Sequence, residues 1–111
     1  MIVINEPLLQ EFREKTVCEW CRKTYRSGLD PHHIFSRGAG RVDIRENLLE
    51  LCRECHLFAH AGGEPTKDQL LEVAAKREKM TPDKIVSKVY RMRRYDRCKV
   101  WNVEEKTDDR L

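Results

Sequence analysis

Two cysteine pairs, Cys18-x2-Cys21 and Cys52-x2-Cys55, set two thiols apiece at the spacing of a metal-binding knuckle. Together they offer four thiolates to one tetrahedral ion. Zinc accepts such a set with no coordination position left open, so a four-cysteine site would hold the fold and perform no chemistry. Thirty residues lie between the pairs, more than the roughly 15–20 of a simple zinc ribbon, so something is inserted between the knuckles. Cys52-Arg53-Glu54-Cys55-His56 also fits the haem-attachment spacing, but haem would require export and would leave the first pair without a task. Cys98 stands alone and reads as an idle thiol.

All four histidines, His32, His33, His56 and His60, fall inside or beside this cysteine module. His56 and His60 stand at i and i+4, one face of a helix, where two imidazoles can grip one cation. His32 and His33 are neighbours on a segment of strand composition, so their side chains must point to opposite faces. One can face a metal while the other faces something else. Asn47 precedes the second strand-like run.

Taken together, Asp30-Pro31-His32-His33-Ile34, then Asn47-Leu48, then Cys52-x2-Cys55-His56 and His60, resemble the HNH motif of the ββα-metal (His-Me finger) endonucleases. Thirteen residues separate His33 from Asn47, eight separate Asn47 from His56, and three separate His56 from His60. The framing knuckles resemble the four-cysteine subgroup common in phage and prophage genes. The resemblance spans about residues 17–63.

The resemblance implies a task for each position. His33 matches the general base that takes a proton from the attacking water, work suited to an imidazole at neutral pH. His32 falls where the family carries an aspartate or histidine ligand, and His56 and His60 match the helix ligands of the same divalent cation. Asp30 is a partner of a ligand or a ligand itself. Asn47 matches the residue that ties the intervening loop to the strands. The cation would be Mg²⁺ or Mn²⁺, although imidazoles also accept Ni²⁺. The implied activity is phosphodiester hydrolysis on DNA, with weak sequence preference and nicking one strand at a time, by a monomer or weak dimer. Phage packaging or recombination proteins are the partners that the resemblance brings with it.

Particular elements must position these groups. Met1 to Thr16 reads as a short strand followed by an amphipathic helical stretch, with Asn5 able to cap and Pro7 in the first turn. Leu29 to Phe35 and Leu48 to Cys52 have strand composition, and Ser36 to Glu46 is a long polar loop. Arg53 to His60 reads as a helix with Leu57 and Ala61 on its apolar side, ended by Gly62-Gly63. Thr66 with Gln69 forms a capping box ahead of a helix whose apolar face is Leu70, Val73 and Ala74. Thr81-Pro82-Asp83 starts another, with Ile85, Val89 and Met92 along one side.

The expected fold is therefore α+β, a zinc-stapled ββα core at 17–63 between an N-terminal extension at 1–16 and a basic helical segment at 64–111. Charged residues are 37% of the chain and aromatics 7%, a balance that benefits from a metal staple. The net charge is only +3, but from Lys76 to Lys99 ten Lys or Arg face three acids. Such a block suits a polyanion or a solvated helix face. The candidate DNA contacts are Arg37, Arg41 and Arg45 in the loop and Lys88, Arg91 and Arg94 on the basic helix. Trp20, Tyr25 and Trp101 read as core packing. No apolar run reaches the roughly 18 residues of a membrane span, and the start lacks a basic leader, so a cytoplasmic enzyme is expected. The competing reading is a non-catalytic zinc-ribbon module that binds nucleic acid or protein.

Overall fold

In the computed structural model, residues 2–26, 29–36, 38, 40–95 and 99–103 are described. The architecture is α+β. A strand, β1 (Ile2–Asn5), runs straight into helix α1 (Glu6–Arg13), and the Asn5 side chain caps that helix by accepting from the Leu8 N–H. The hairpin strands β2 (Asp30–His33) and β3 (Leu48–Leu51) follow, then α2 (Arg53–His60). Two longer helices, α3 (Lys67–Glu78) and α4 (Pro82–Tyr95), lead to a last strand, β4 (Val100–Val103).

The centre is the unit β2–β3–α2. β2 and β3 are antiparallel, with His32 opposite Leu49 and His33 opposite Leu48. Alternation along each strand gives the hairpin two faces. One carries Leu49 and Leu51 into the main core; the other carries Leu48 against Leu9 and Phe12 of α1. A single core joins Val3, Leu49, Leu51, Leu70, Ala74, Ile85 and Val89, so all three expected segments contribute to it. Burying each large aliphatic side chain there is worth about 1.5–3 kcal/mol.

The caps read from the sequence are in place. Thr66 and Gln69 make the reciprocal capping box of α3, and Thr81 Oγ1 accepts from the Lys84 N–H at the start of α4. Gly62, with φ of +83°, ends α2 in the left-handed region that glycine adopts without strain. The apolar side of α2 differs from expectation. Leu57 and Phe58 are 60% and 56% exposed, and the helix instead buries Cys55 and packs Ala59 against the core. Trp101 is also corrected: at 55% exposed on β4 it lies outside the core, whereas Trp20 and Tyr25 are half-buried against it.

A pairing with no local signal closes the molecule. β1 pairs in parallel with β4, and Val3 also bridges Val42 on its other side, where its N–H donates to the Arg41 carbonyl. The N-terminal strand thereby reaches the loop between the two strands of the hairpin. Arg77 of α3 fastens a second edge: its guanidinium meets both oxygens of Glu19 at 2.8 and 2.9 Å and donates to the Leu48 carbonyl at 2.9 Å.

Candidate metal centres

The four knuckle cysteines converge as their spacing requires. Arg22, at φ of +66°, turns the first knuckle back so that its N–H reaches the Cys18 carbonyl at 3.0 Å, and Val17 bridges Thr24 across the turn. Cys52 follows β3 as the N-cap of α2, and Cys55 lies in the first turn of that helix. All four sulfurs lie within 4.8 Å of one another, with Cys21 and Cys52 3.9 Å apart. A tetrahedron with zinc–sulfur bonds of about 2.3 Å has edges of roughly 3.8 Å, so this donor set can hold a metal ion such as zinc. Burial pushes the Cys52 thiol up, but bonds from the Tyr25 hydroxyl and the Cys55 N–H outweigh it and bring the thiol down to about 7, toward the thiolate a metal needs. The Tyr25 hydroxyl sits 4.0 Å from the Cys21 sulfur.

A second cluster forms on the face of the hairpin that looks at α2. His32, His56 and His60 bring ring nitrogens within 4.8 Å of one another. The ring centroids of His32 lie 5.0 Å from His56 and 5.2 Å from His60, and those of His56 and His60 are 4.7 Å apart. The i, i+4 pair comes from α2, whose first turn also carries Cys55, and the third ring from β2. His32 Nδ1 is buried with no hydrogen-bond partner among the described residues. Burial first, and then the neighbouring imidazoles, lower the His32 pKa to about 4, and burial together with His60 lowers His56. Both rings therefore stay neutral at physiological pH, the form that ligates. Three converging imidazoles with an orphaned buried nitrogen can hold a metal ion, and the exposed position of His60 leaves one side open.

His33 occupies the other face, as strand alternation demands. Its Nε2 lies 2.7 Å from Asp43 Oδ1, yet the residue still lines the same cavity, of about 430 Å³, as His32, His56, His60, Asp30 and Arg13. Asp43 is fully buried and also accepts from the Arg41 guanidinium and the Asn5 N–H. Burial would raise its pKa, but those bonds prevail and hold the carboxyl below the usual carboxylate range. An ionised Asp43 requires His33 Nε2 to carry the proton, which leaves Nδ1 as the basic nitrogen of the neutral ring.

Asn47 bonds to both ends of the loop. Its Oδ1 accepts from the Phe35 N–H at 2.8 Å, and its Nδ2 donates to the Val42 carbonyl at 2.9 Å. Both ends of the loop are pinned to one buried amide. Asp43 is the functional residue that motif and spacing do not reveal. A signal for it exists: it is the single acid between Ser36 and Arg45, in a stretch otherwise polar, apolar or basic.

The six candidate DNA contacts divide. Arg37 lies outside the described residues. Arg41 is committed to Asp43 and Glu6, and Arg45 pairs with Glu11 and Glu78. Lys88 lies 2.6 Å from a Glu46 oxygen. Arg91 and Arg94 are exposed on α4. Arg93, which charge and spacing do not distinguish from its neighbours, donates to the Gly40 and Ser36 carbonyls and so docks the loop on α4. A Cβ at Gly40 would meet the Arg93 side chain at 3.3 Å, and its φ of +122° also selects glycine. Cys98 lies outside the described residues. None of the helices described is long and apolar enough to cross a membrane. Comparison of the chain with family models, with characterised proteins and with solved structures returns no match.

Proposed function

We propose that this chain is a metal-dependent DNA endonuclease of the HNH type, with the four cysteines holding structural zinc and His32, His56 and His60 holding a catalytic divalent cation. The observation that carries the reading is the arrangement of His33: its ring is anchored on buried Asp43 and lines the cavity that the three ligand histidines share. A zinc module that only binds needs neither the cluster nor the anchored base.

The chain's own groups divide the reaction. His33 Nδ1 accepts the proton of a water that attacks the phosphorus, while Asp43 fixes the ring and stabilises the imidazolium as it forms. Asn47 keeps the loop bearing Asp43 in register with β2, where His33 sits. A bound Mg²⁺ or Mn²⁺ supplies Lewis-acid stabilisation of the charge that develops on the phosphate and on the leaving 3′ oxygen. The product ends are a 5′ phosphate and a 3′ hydroxyl.

Nicking of supercoiled plasmid by the zinc-loaded chain, with Mg²⁺, Mn²⁺ or Ni²⁺ added, tests the proposal. Activity that requires added cation and falls at least about 10²-fold in His56→Ala, with zinc content unchanged, supports it. A folded, zinc-loaded wild type that does not nick with any of these ions returns the chain to the class of non-catalytic zinc modules.

A further inference from the structure

Of the six cations expected to meet DNA, Arg41, Arg45 and Lys88 are paired with carboxylates, which reduces what the loop and α4 offer to the substrate's phosphates. A cleft of about 780 Å³ opens between the first zinc knuckle and α3, lined by Lys15, Thr16, Arg22, Lys76 and Arg77 among others. Arg22, Lys76 and Thr16 are exposed there. Among the described residues, the one acid in its wall is Glu19, which has both oxygens on Arg77 and is neutralised in place. The end of α1 links the cleft to the histidine cavity. Arg13 lines that cavity, and Lys15, two residues further along the end of α1, lines the cleft.

We infer that this cleft carries the phosphodiester backbone of the DNA strand that enters the histidine cavity, an inference that rests on the nuclease reading. Backbone phosphates leaving the reacting phosphodiester would pass Arg13, then Lys15, and settle between Arg22 and Lys76. The smaller basic depression at the start of α4, about 480 Å³ around Lys84, Lys88 and Arg91, fits less well. It includes Asp83, and its Lys88 is paired with Glu46. The cations of the cleft are offered to phosphate, a contact that carries no sequence information.

Binding of a fluorescein-labelled duplex, followed by anisotropy in the full zinc-loaded chain on a His33→Ala background, separates the two surfaces. Arg22→Gln/Lys76→Gln should weaken binding about tenfold near 0.1 M salt. The slope of log K against log salt should fall by roughly 1.8, the value for two phosphates that the protein no longer neutralises. Lys84→Gln/Arg91→Gln removes the same charge and should change affinity less than about threefold. Unchanged binding in the first pair, or an equal or larger loss in the second, overturns the inference; zinc content confirms that each variant is folded. Hydrolysis of bis(p-nitrophenyl) phosphate by chains that retain His33 judges the reaction separately. The first pair should keep the wild-type rate, since so small a diester does not reach the cleft. A wild type inert toward this ester and toward plasmid, yet dependent on Arg22 and Lys76 for DNA affinity, would remove the nuclease reading and leave the binding surface.

Discussion

His33 Nε2 and Asp43 Oδ1 lie 2.7 Å apart, although His33 is on a hairpin strand and Asp43 in the loop that follows it. The contact exists because Val3 of β1 bridges Val42 and because Asn47 fastens the Val42 carbonyl, so three separate segments fix one carboxylate. Asp43 in turn holds Arg41 and the Asn5 N–H. The same residue is thus a structural hub and the anchor of the proposed base.

Asp43→Asn should separate those two roles. Removing the charge leaves partly buried Arg41 with only the exposed Glu6 as counter-ion, at a cost of about 3 kcal/mol at pH 7 by urea denaturation. The folded-state pKa of Asp43 lies below its unfolded value. Its stabilisation is therefore complete above the ordinary carboxylate pKa of about 4, and is lost only as pH falls through the lower folded value. The stability gap between wild type and variant should be the same at pH 7 and pH 5 and shrink near pH 3. Nicking should fall about 10²-fold with divalent-ion affinity unchanged. A gap that has closed by pH 5 would show that Asp43 is not held ionised by its partners.

Zinc removal should unfold the centre of the molecule, because Cys18, Cys52 and Cys55 are buried in the core that also holds Leu49 and Leu51. Structural zinc supplies on the order of 10 kcal/mol in small metal-folded domains. Cys52→Ser should lose the bound zinc and the cooperative thermal transition together, as measured by metal analysis and circular dichroism. A variant free of zinc that melts like the wild type would contradict the staple.

Glu50 presents a different imbalance. It is fully buried on β3, and neither carboxylate oxygen has a hydrogen-bond partner among the described residues. Burial pushes its pKa up to about 7 from an ordinary 4.5, with Lys15 pulling down and Glu19 pushing up. A raised acid is penalised in its ionised form, so the penalty is absent below the unfolded value, grows between about 4.5 and 7, and is complete above. Glu50→Gln should raise the zinc-loaded Tm by roughly 4–8 °C at pH 8, about 1 kcal/mol, and change it little at pH 4.5. The same shift at both pH values would contradict the account.

Much of the candidate site is legible in the sequence because its signals are local. The knuckle spacing foretells the sulfur cluster, the i, i+4 pair foretells His56 and His60 on one helix face, and adjacency foretells His32 and His33 on opposite faces. The capping residues Asn5, Thr66 and Thr81 mark helix starts in the same way. What escapes is long-range. The β1–β4 pairing joins strands near the two ends of the chain, and no short window encodes it. Asp43 and Arg41 acquire their meaning only when β1 comes alongside the loop, and Arg45 and Lys88 prove to be ion-pair partners of distant acids. Charge alone cannot tell a phosphate contact from a satisfied pair.

The most direct measurement is plasmid nicking by His33→Ala, read beside zinc content and calorimetric titration of Mn²⁺. Because His33 belongs to neither ligand cluster, the variant should stay folded, keep its zinc and bind Mn²⁺ as the wild type does. Its nicking rate should be lower by about 10²- to 10⁴-fold, the worth of a positioned general base. Nicking at the wild-type rate by a folded, metal-loaded His33→Ala would show that the ring held on Asp43 does not move the proton.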